Sequence, residues 1–393
     1  MTVIQKWFIA LCLPTIGVAA KEALIVKVKH PGTWNWTLST RSTERIDPAF
    51  KTPSRYFVVW SDGSGSSTES KAALSKNPEV LSVTPDYELS DPGVMSEADP
   101  ELEKQWYLKV TAVTGAWKYT TGKGTSISDI ESGWDTQHPD LARQFDLQRS
   151  FDYDPFTSDP LKINDNIRSH GTQVAGILAM ENDKDRFGVG IAYDTKIIGS
   201  QSDTTPKAFA TEKLWTVGVA RAILGSIQRK ASVILIEKQV PALLSSVERV
   251  PIIYDAIQEA IKAGIPVIVP AGNFNRELKE EALLPDSGSI LVGATSKNND
   301  RWSLSNYGSR VDVVAPGEGL YTTNEMELET STFGGTSGAS AIVAAIVALI
   351  REANGSLSPS EIRELLRNTA KQLGDGTRLV QAESAVVKAL GKE

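Results

Sequence analysis

The order of apolar and polar positions divides the chain into a small first part and a larger second part. From residue 105 onward, short apolar runs alternate with longer segments that repeat apolar residues at helical spacing. This alternation predicts an α/β fold with a mostly parallel sheet and helices on both of its faces. The predicted strands are 125–130, 196–200, 232–236, 266–269 and 290–294, and the predicted helices are 171–180, 213–228, 252–263, 340–352 and 359–372.

The first part has a different pattern. Residues 23–28, 55–60 and 80–83 read as strands, and residues 68–76 read as a short helix. A polar, acidic stretch with two prolines follows, and it is typical of a linker. We therefore expect a small α+β unit over residues 21–92, a linker over 93–104 and the larger domain over 105–393.

Residues 1–20 have the pattern of a secretory signal peptide. Lys6 precedes an apolar run that ends near Gly17, and two small residues, Ala19 and Ala20, follow. The alternative is a membrane anchor, but this run is too short to cross a bilayer as a helix. We expect cleavage after Ala20, a secreted protein in the periplasm or outside the cell, and no stable membrane insertion. Cys12 is the only cysteine, so this cleavage removes every thiol and excludes disulfides and cysteine metal sites.

Composition narrows the class of protein. The chain has 393 residues, of which 41% are hydrophobic and 23% charged, as in soluble globular proteins. That length is more than one domain usually needs. The net charge of −7 gives no reason to expect a nucleic acid partner, because phosphate binding requires concentrated lysine and arginine.

Histidine is rare enough for the candidate bases to be compared directly. The chain has three histidines: His30 in the small unit, His138 in a polar turn, and His170 just before a predicted helix. A single histidine is more often structural than catalytic. His170, however, stands just before a predicted helix, a position that exposes its imidazole at the carboxyl edge of a parallel sheet, where ligands usually bind.

Three further polar residues stand at strand ends or helix starts. Ser337 lies where a glycine-rich loop meets an apolar helix, whose backbone N–H groups can stabilise an oxyanion. A serine there can also be a simple helix cap. Glu131 ends a strand before a Ser-Gly turn, with Asp129 on the same face as an alternative acid. Asn273 follows a buried strand and can donate to developing negative charge.

These segments resemble the motifs of the subtilisin-like serine proteases, the subtilases. The resemblance covers residues 105–393, and residues 21–92 are similar to the propeptides of the same family. The matching segments are ESG at 131–133 with HPDL at 138–141, HGTQVAG at 170–176, AGN at 271–273 and GTSGAS at 335–340.

The resemblance implies a fold, a precursor and a reaction. The fold would be subtilisin-like with a ferredoxin-like prodomain, and the chain would be a zymogen cut in the linker. The resemblance makes Glu131, His170 and Ser337 a triad that hydrolyses peptide bonds through an acyl-enzyme, with Asn273 in the oxyanion hole. Its partners would be protein or peptide substrates and its own propeptide.

The chain also departs from the family pattern. Glu131 replaces the family's aspartate, and Glu237-Lys238-Gln239 replaces a substrate-lining Ser-Leu-Gly. These changes leave a second interpretation open, in which the protein is a catalytically inactive subtilase fold that binds peptides or a protein.

A structural calcium ion is a further expectation from the resemblance, whereas catalysis requires no cofactor. Asp140, Asn182 and Asp183 are similar to residues that hold calcium in subtilases, and oxygen ligands suit this ion. The alternative is that the loop carrying Asn182 and Asp183 is an ordinary solvated turn.

Overall fold

The computed structural model describes ten segments of the chain. They are residues 23–29, 43–45, 56–60, 67–85, 105–153, 169–182, 188–202, 215–279, 284–324 and 328–392. The predicted signal peptide, His30 and the predicted linker lie outside these residues.

The described residues form strands and helices in alternation over most of the larger domain. The strands are β1 (Ala23–Val28), β2 (Thr43–Arg45), β3 (Tyr56–Trp60), β4 (Val80–Pro85), β5 (Ser126–Glu131), β6 (Phe151–Asp152), β7 (Lys196–Gln201), β8 (Val233–Ile236), β9 (Gln239–Val240), β10 (Ser245–Ser246), β11 (Val267–Pro270), β12 (Ile290–Thr295), β13 (Val313–Pro316), β14 (Leu320–Asn324), β15 (Leu328–Phe333), β16 (Lys371–Gln372) and β17 (Arg378–Leu379). The helices are α1 (Ser67–Ser75), α2 (Trp106–Val110), α3 (Val113–Ala116), α4 (Ser169–Ala179), α5 (Trp215–Gln228), α6 (Pro251–Lys262), α7 (Gly335–Ala353), α8 (Pro359–Thr369) and α9 (Ala382–Ala389).

The larger domain is built on a sheet in the order β16-β17-β13-β12-β11-β8-β5-β7-β6. Each pair from β17 to β6 is parallel, and β16 is antiparallel to β17. The central strands are buried along their whole length because helices cover both faces. The predicted α/β fold with a mostly parallel sheet is therefore confirmed.

The small unit forms a separate sheet in the order β2-β3-β1-β4, with antiparallel pairing. One helix, α1, accompanies this sheet among the described residues. The three strands expected from sequence are present, and β4 extends two residues further than expected. The ferredoxin-like description of this unit stays a prediction.

The helix that carries Ser337 is the central helix of the core. It begins at Gly335, five residues earlier than the sequence predicted. The prediction started later because glycine disfavours helices in general, whereas here glycine fits a fully buried first turn. Its 18-residue apolar window has a mean hydropathy of 1.4, enough to cross a membrane, yet 83% of that window is buried inside the protein. The helix is therefore a core element of the domain.

The hairpin β14–β15 was not predicted from sequence, and it fixes the helix that carries His170. The hydroxyls of Thr322 and Thr323 donate to the carbonyls of Gln173 and Thr172. A side chain at Gly176 would meet both threonine hydroxyls at 2.3 Å, so only glycine permits this contact. Gly176 thus allows the His170 helix to pack closely against this hairpin.

Candidate active site

The predicted site residues converge at the carboxyl edge of the parallel sheet. Glu131 is the last residue of β5, and Asn273 follows β11, two strands away. His170 and Ser337 lie in the first turns of α4 and α7. This is the edge at which α/β sheets place their ligand sites.

Three of these side chains form a continuous chain of contacts. The Nδ1 atom of His170 contacts Oε1 of Glu131, and its Nε2 atom lies 3.0 Å from Oγ of Ser337. Glu131 is fully buried, and the His170 side chain is 12% exposed. The edge of the Phe333 ring packs against the imidazole, with ring centroids 5.4 Å apart. The histidine is thus placed between a carboxylate and a serine hydroxyl.

The second carboxylate oxygen of Glu131, Oε2, has donors on the side away from His170. The Ser132 N–H donates to Oε2 at 2.7 Å. The Nζ atom of Lys238 lies 3.8 Å from the same oxygen and donates to Oγ of Ser132 at 2.6 Å. Donors on Oε2 leave Oε1 as the oxygen that faces the imidazole.

Asp129, the alternative acid, has a different partner. It is fully buried two residues before Glu131, and its Oδ2 accepts a hydrogen bond of 2.7 Å from Nε1 of Trp134. Burial, followed by the negative charge of Glu131, raises the pKa of Asp129 well above its usual value. In this geometry Glu131 contacts His170, whereas Asp129 accepts a hydrogen bond from Trp134.

Asn273 is presented by a tight turn with a fixed amide orientation. Gly272 has φ of +101°, a conformation that favours glycine. The Oδ1 atom of Asn273 accepts from N–H and Oγ1 of Thr336 at 3.0 and 2.8 Å. Nδ2 is therefore the atom of this amide that can donate toward a substrate.

A second group that can donate to a substrate is the backbone N–H of Ser337, in the first turn of α7. The Gly335 N–H donates to the Gly317 carbonyl, the Thr336 N–H to Asn273, and the Gly338 N–H to the Gly334 carbonyl. Within the described part of the chain, the Ser337 N–H has no acceptor. It lies at a helix N-terminus, where free N–H groups and the helix dipole favour a negative charge.

A buried carboxyl also lies beside Ser337. Glu237 is fully buried, and its Oε1 accepts from Oγ of Ser340 at 3.0 Å. Burial raises its pKa well above the usual value, and the Glu131 and Asp129 charges act in the same direction, whereas His170 and the Ser337 hydroxyl oppose them. The sequence had marked Glu237 only as a departure from the family pattern.

The residues expected to hold calcium do not assemble a site in the described residues. Asp140 is buried, and Asn182 is exposed and contacts the Tyr193 hydroxyl. Asp183 lies outside the described residues. No group of three histidine, cysteine, aspartate or glutamate side chains suited to a metal occurs in the described segments. The calcium site stays a prediction, and we assign no role to the ion.

Several residues that shape the site were missed from sequence. Lys238, Ser132 and Thr336 orient the Glu131 and Asn273 side chains, as described above. Asn306 holds the Asn273 turn: its Oδ1 accepts the N–H groups of residues 274 and 276. The sequence gives no signal for this role, because these hydrogen bonds form only in the folded turn.

Comparison with known proteins agrees with this geometry. The model of the subtilase family matches residues 122–383. M-protease of Shouchella clausii (strain KSM-K16) is 29% identical over 335 residues, which cover 81% of this chain and 77% of that protein. Subtilisin Savinase of Lederbergia lenta is 31% identical over 280 residues, covering 67% of this chain and 91% of that protein.

Solved structures give the same fold. The crystal structure of fervidolysin from Fervidobacterium pennivorans, a keratinolytic enzyme related to subtilisin, matches with a TM-score of 0.72 at 19% identity. The match covers 95% of this chain and 62% of fervidolysin, so this chain spans less than two thirds of that protein.

Proposed function

This chain belongs to the subtilase family, and we propose that it is a secreted endopeptidase in which Glu131, His170 and Ser337 are the catalytic triad. Membership of this family, with protease relatives over most of the chain, makes it a serine-type peptide hydrolase. Enzymes of this family need no cofactor for catalysis. The residue roles, secretion and maturation are the parts that we infer.

The observation that carries the proposal is the position of His170. Its Nε2 lies 3.0 Å from Oγ of Ser337, within reach of the proton that a general base must remove. As that proton moves to His170, the serine oxygen attacks the peptide carbonyl carbon. The imidazolium then gives the proton to the leaving amine, and water hydrolyses the acyl-enzyme with His170 again acting as base.

Glu131 would set the tautomer of the histidine. A carboxylate on Nδ1 keeps the proton on that nitrogen, so Nε2 presents a lone pair to the serine hydroxyl. The same carboxylate stabilises the imidazolium that forms during attack. The extra methylene of glutamate is accommodated because Ser132 and Lys238 hold the far oxygen.

The oxyanion would be held by two donors at this edge of the sheet. These are Nδ2 of Asn273, fixed through Thr336, and the N–H of Ser337 at the helix N-terminus. Such preorganised donors contribute most when they need no rearrangement during the reaction.

The small unit at residues 21–92 would act as an inhibitory propeptide. Its sheet docks on α6, where Asp255 accepts hydrogen bonds from Nζ of Lys27 and the hydroxyl of Tyr56, both at 2.5 Å. Ile25 and Val58 share a buried apolar cluster with helices α5 and α6. We propose cleavage in the linker 93–104, because exposed polar segments are where proteolysis concentrates.

The test is hydrolysis of an unfolded protein such as casein by purified wild-type protein and by Ser337→Ala, both produced in a host without secreted proteases. We expect hydrolysis and linker cleavage by the wild type and neither from the variant. Binding of casein without hydrolysis by a correctly folded wild type would support the inactive binding module. The N-terminal sequence of the exported precursor tests signal cleavage after Ala20.

A further inference from the structure

We propose that Lys238 is a positioning residue whose ammonium group keeps the Glu131 carboxylate ionised and turned toward Nδ1 of His170. The proposal rests on the triad proposed above. It concerns a residue that the chain has in place of an apolar residue of the family's substrate-lining segment.

Lys238 is a fully buried lysine at the carboxyl end of β8, next to β5 in the sheet. Moving an ammonium group out of water costs several kcal/mol unless it is paired and hydrogen-bonded. Here Nζ lies 3.8 Å from Oε2 of Glu131 and donates to Oγ of Ser132 at 2.6 Å. Because Lys238 is not exposed to the cleft, it cannot contact a substrate, and its charge acts on the interior of the site.

The charges around Lys238 make Glu131 its counterion. Asp129 on β5 and Glu237 beside Lys238 are buried carboxyls, and burial raises the pKa of each. The shift favours the protonated, uncharged form of both carboxyls. His170 faces Glu131 from α4. With Lys238 positive, Glu131 can be negative without leaving a net charge in the interior.

The contacts also fix the direction of the carboxylate. Two donor groups, the Ser132 N–H and the Lys238 ammonium, lie on the Oε2 side of Glu131. Glutamate has one more rotatable bond than aspartate, so its carboxylate needs such contacts to keep one orientation. Lys238 thus accounts for how a longer acid serves at this position.

The experiment measures the pH dependence of kcat/KM for the wild type and for Lys238→Met, which keeps the length and removes the charge. Without the ammonium, the Glu131–His170 pair loses its titrating proton only at a higher pH. The acidic limb of the kcat/KM profile therefore moves upward by about one to three pH units. Lys262→Met is the matched control, because it makes the same chemical change at an exposed lysine on α6 that pairs with Glu259; its acidic limb stays in place. An unmoved limb in Lys238→Met would overturn the proposal.

A second measurement covers the case in which Lys238→Met does not fold. Glu131→Gln combined with Lys238→Met removes both charges, so no charge is left unpaired in the interior. The proposal predicts that this double variant folds although Lys238→Met alone does not, and this rescue shows that the two residues are coupled. If Lys238→Met is unfolded in both backgrounds, Lys238 is a packing residue and the proposal is wrong.

The same measurements separate this proposal from the proposed function. Unfolding and the NMR titration of His170, one of three histidines, require no catalysis. If the wild type does not hydrolyse peptides, the proposed function fails, while coupling between Lys238 and Glu131 and a raised His170 pKa in Lys238→Met still support the positioning role.

Discussion

Glu131→Gln is the substitution that tests the proposed triad acid most closely. It keeps the shape of the side chain and changes its hydrogen-bonding groups. On the far side of Glu131, the Ser132 N–H at 2.7 Å and the Lys238 ammonium at 3.8 Å are both donors. The amide oxygen of glutamine will therefore turn to that side and place its NH2 group against Nδ1 of His170.

This orientation gives the wrong tautomer. With NH2 as its neighbour, Nδ1 becomes an acceptor, and the proton moves to Nε2, which faces Oγ of Ser337 at 3.0 Å. A protonated Nε2 cannot remove the serine proton. The loss expected for such a change is up to about four orders of magnitude in kcat at neutral pH, which corresponds to about 5.4 kcal/mol in the activation free energy.

Asp129→Asn is the matched control because it makes the same chemical change two residues earlier on the same strand. Its oxygen can still accept from Nε1 of Trp134, which now bonds Asp129 at 2.7 Å. We expect kcat to stay within roughly threefold of wild type, well under 1 kcal/mol.

Both variants are purified, compared by circular dichroism and assayed with a peptide substrate at pH 7 to 9. If Asp129→Asn is inactive while Glu131→Gln works normally, the assignment of Glu131 is wrong.

The remaining predictions concern the oxyanion hole, the propeptide and a buried acid. Asn273→Ala should keep the fold and lower kcat by roughly two to three orders of magnitude, about 2.7–4 kcal/mol; unchanged turnover would remove Asn273 from the mechanism. Asp255→Ala should weaken inhibition of the mature enzyme by separate propeptide roughly tenfold, whereas Glu259→Ala, which breaks an exposed pair with Lys262 on the same helix, should not. Burial raises the pKa of Glu237 in the folded protein, so the wild type loses stability as pH rises from the ordinary glutamate pKa toward the raised one, by at most about 1.4 kcal/mol per pH unit; urea unfolding should show a smaller loss over that range in Glu237→Gln, and an equal loss would contradict this.

The sheet and its helices could be predicted because their signals are local. Apolar runs such as VILI at residues 233–236 and VIVP at 267–270 are long enough to identify buried strands. The predicted start of the helix at residue 359 is confirmed, and a capping box formed by Ser358 and Glu361 marks it. The start of α7 was misplaced because local propensity opposes glycine in helices, whereas tertiary packing decides at Gly335.

The candidate site could be predicted only in part, because some of its residues come together only in the folded sheet. The motif residues were visible because each stands at a strand end or helix start. Lys238 was not recognised, because a lysine in a sequence is normally on the surface. Only the pairing of β5 with β8 places Lys238 beside Glu131. The choice between Glu131 and Asp129 likewise depends on Trp134, whose indole reaches back to Asp129 from the turn after the strand.

The central claim is that Ser337 is a nucleophile activated by His170, and a fluorophosphonate label tests it most directly. The label reacts with activated serines, and mass spectrometry of digested protein identifies the modified residue. For folded, mature wild-type protein the account predicts close to one label per chain, on Ser337, and labelling slower by at least about a hundredfold in His170→Ala. No labelling of Ser337 in that protein, or equal labelling rates with and without His170, would contradict it.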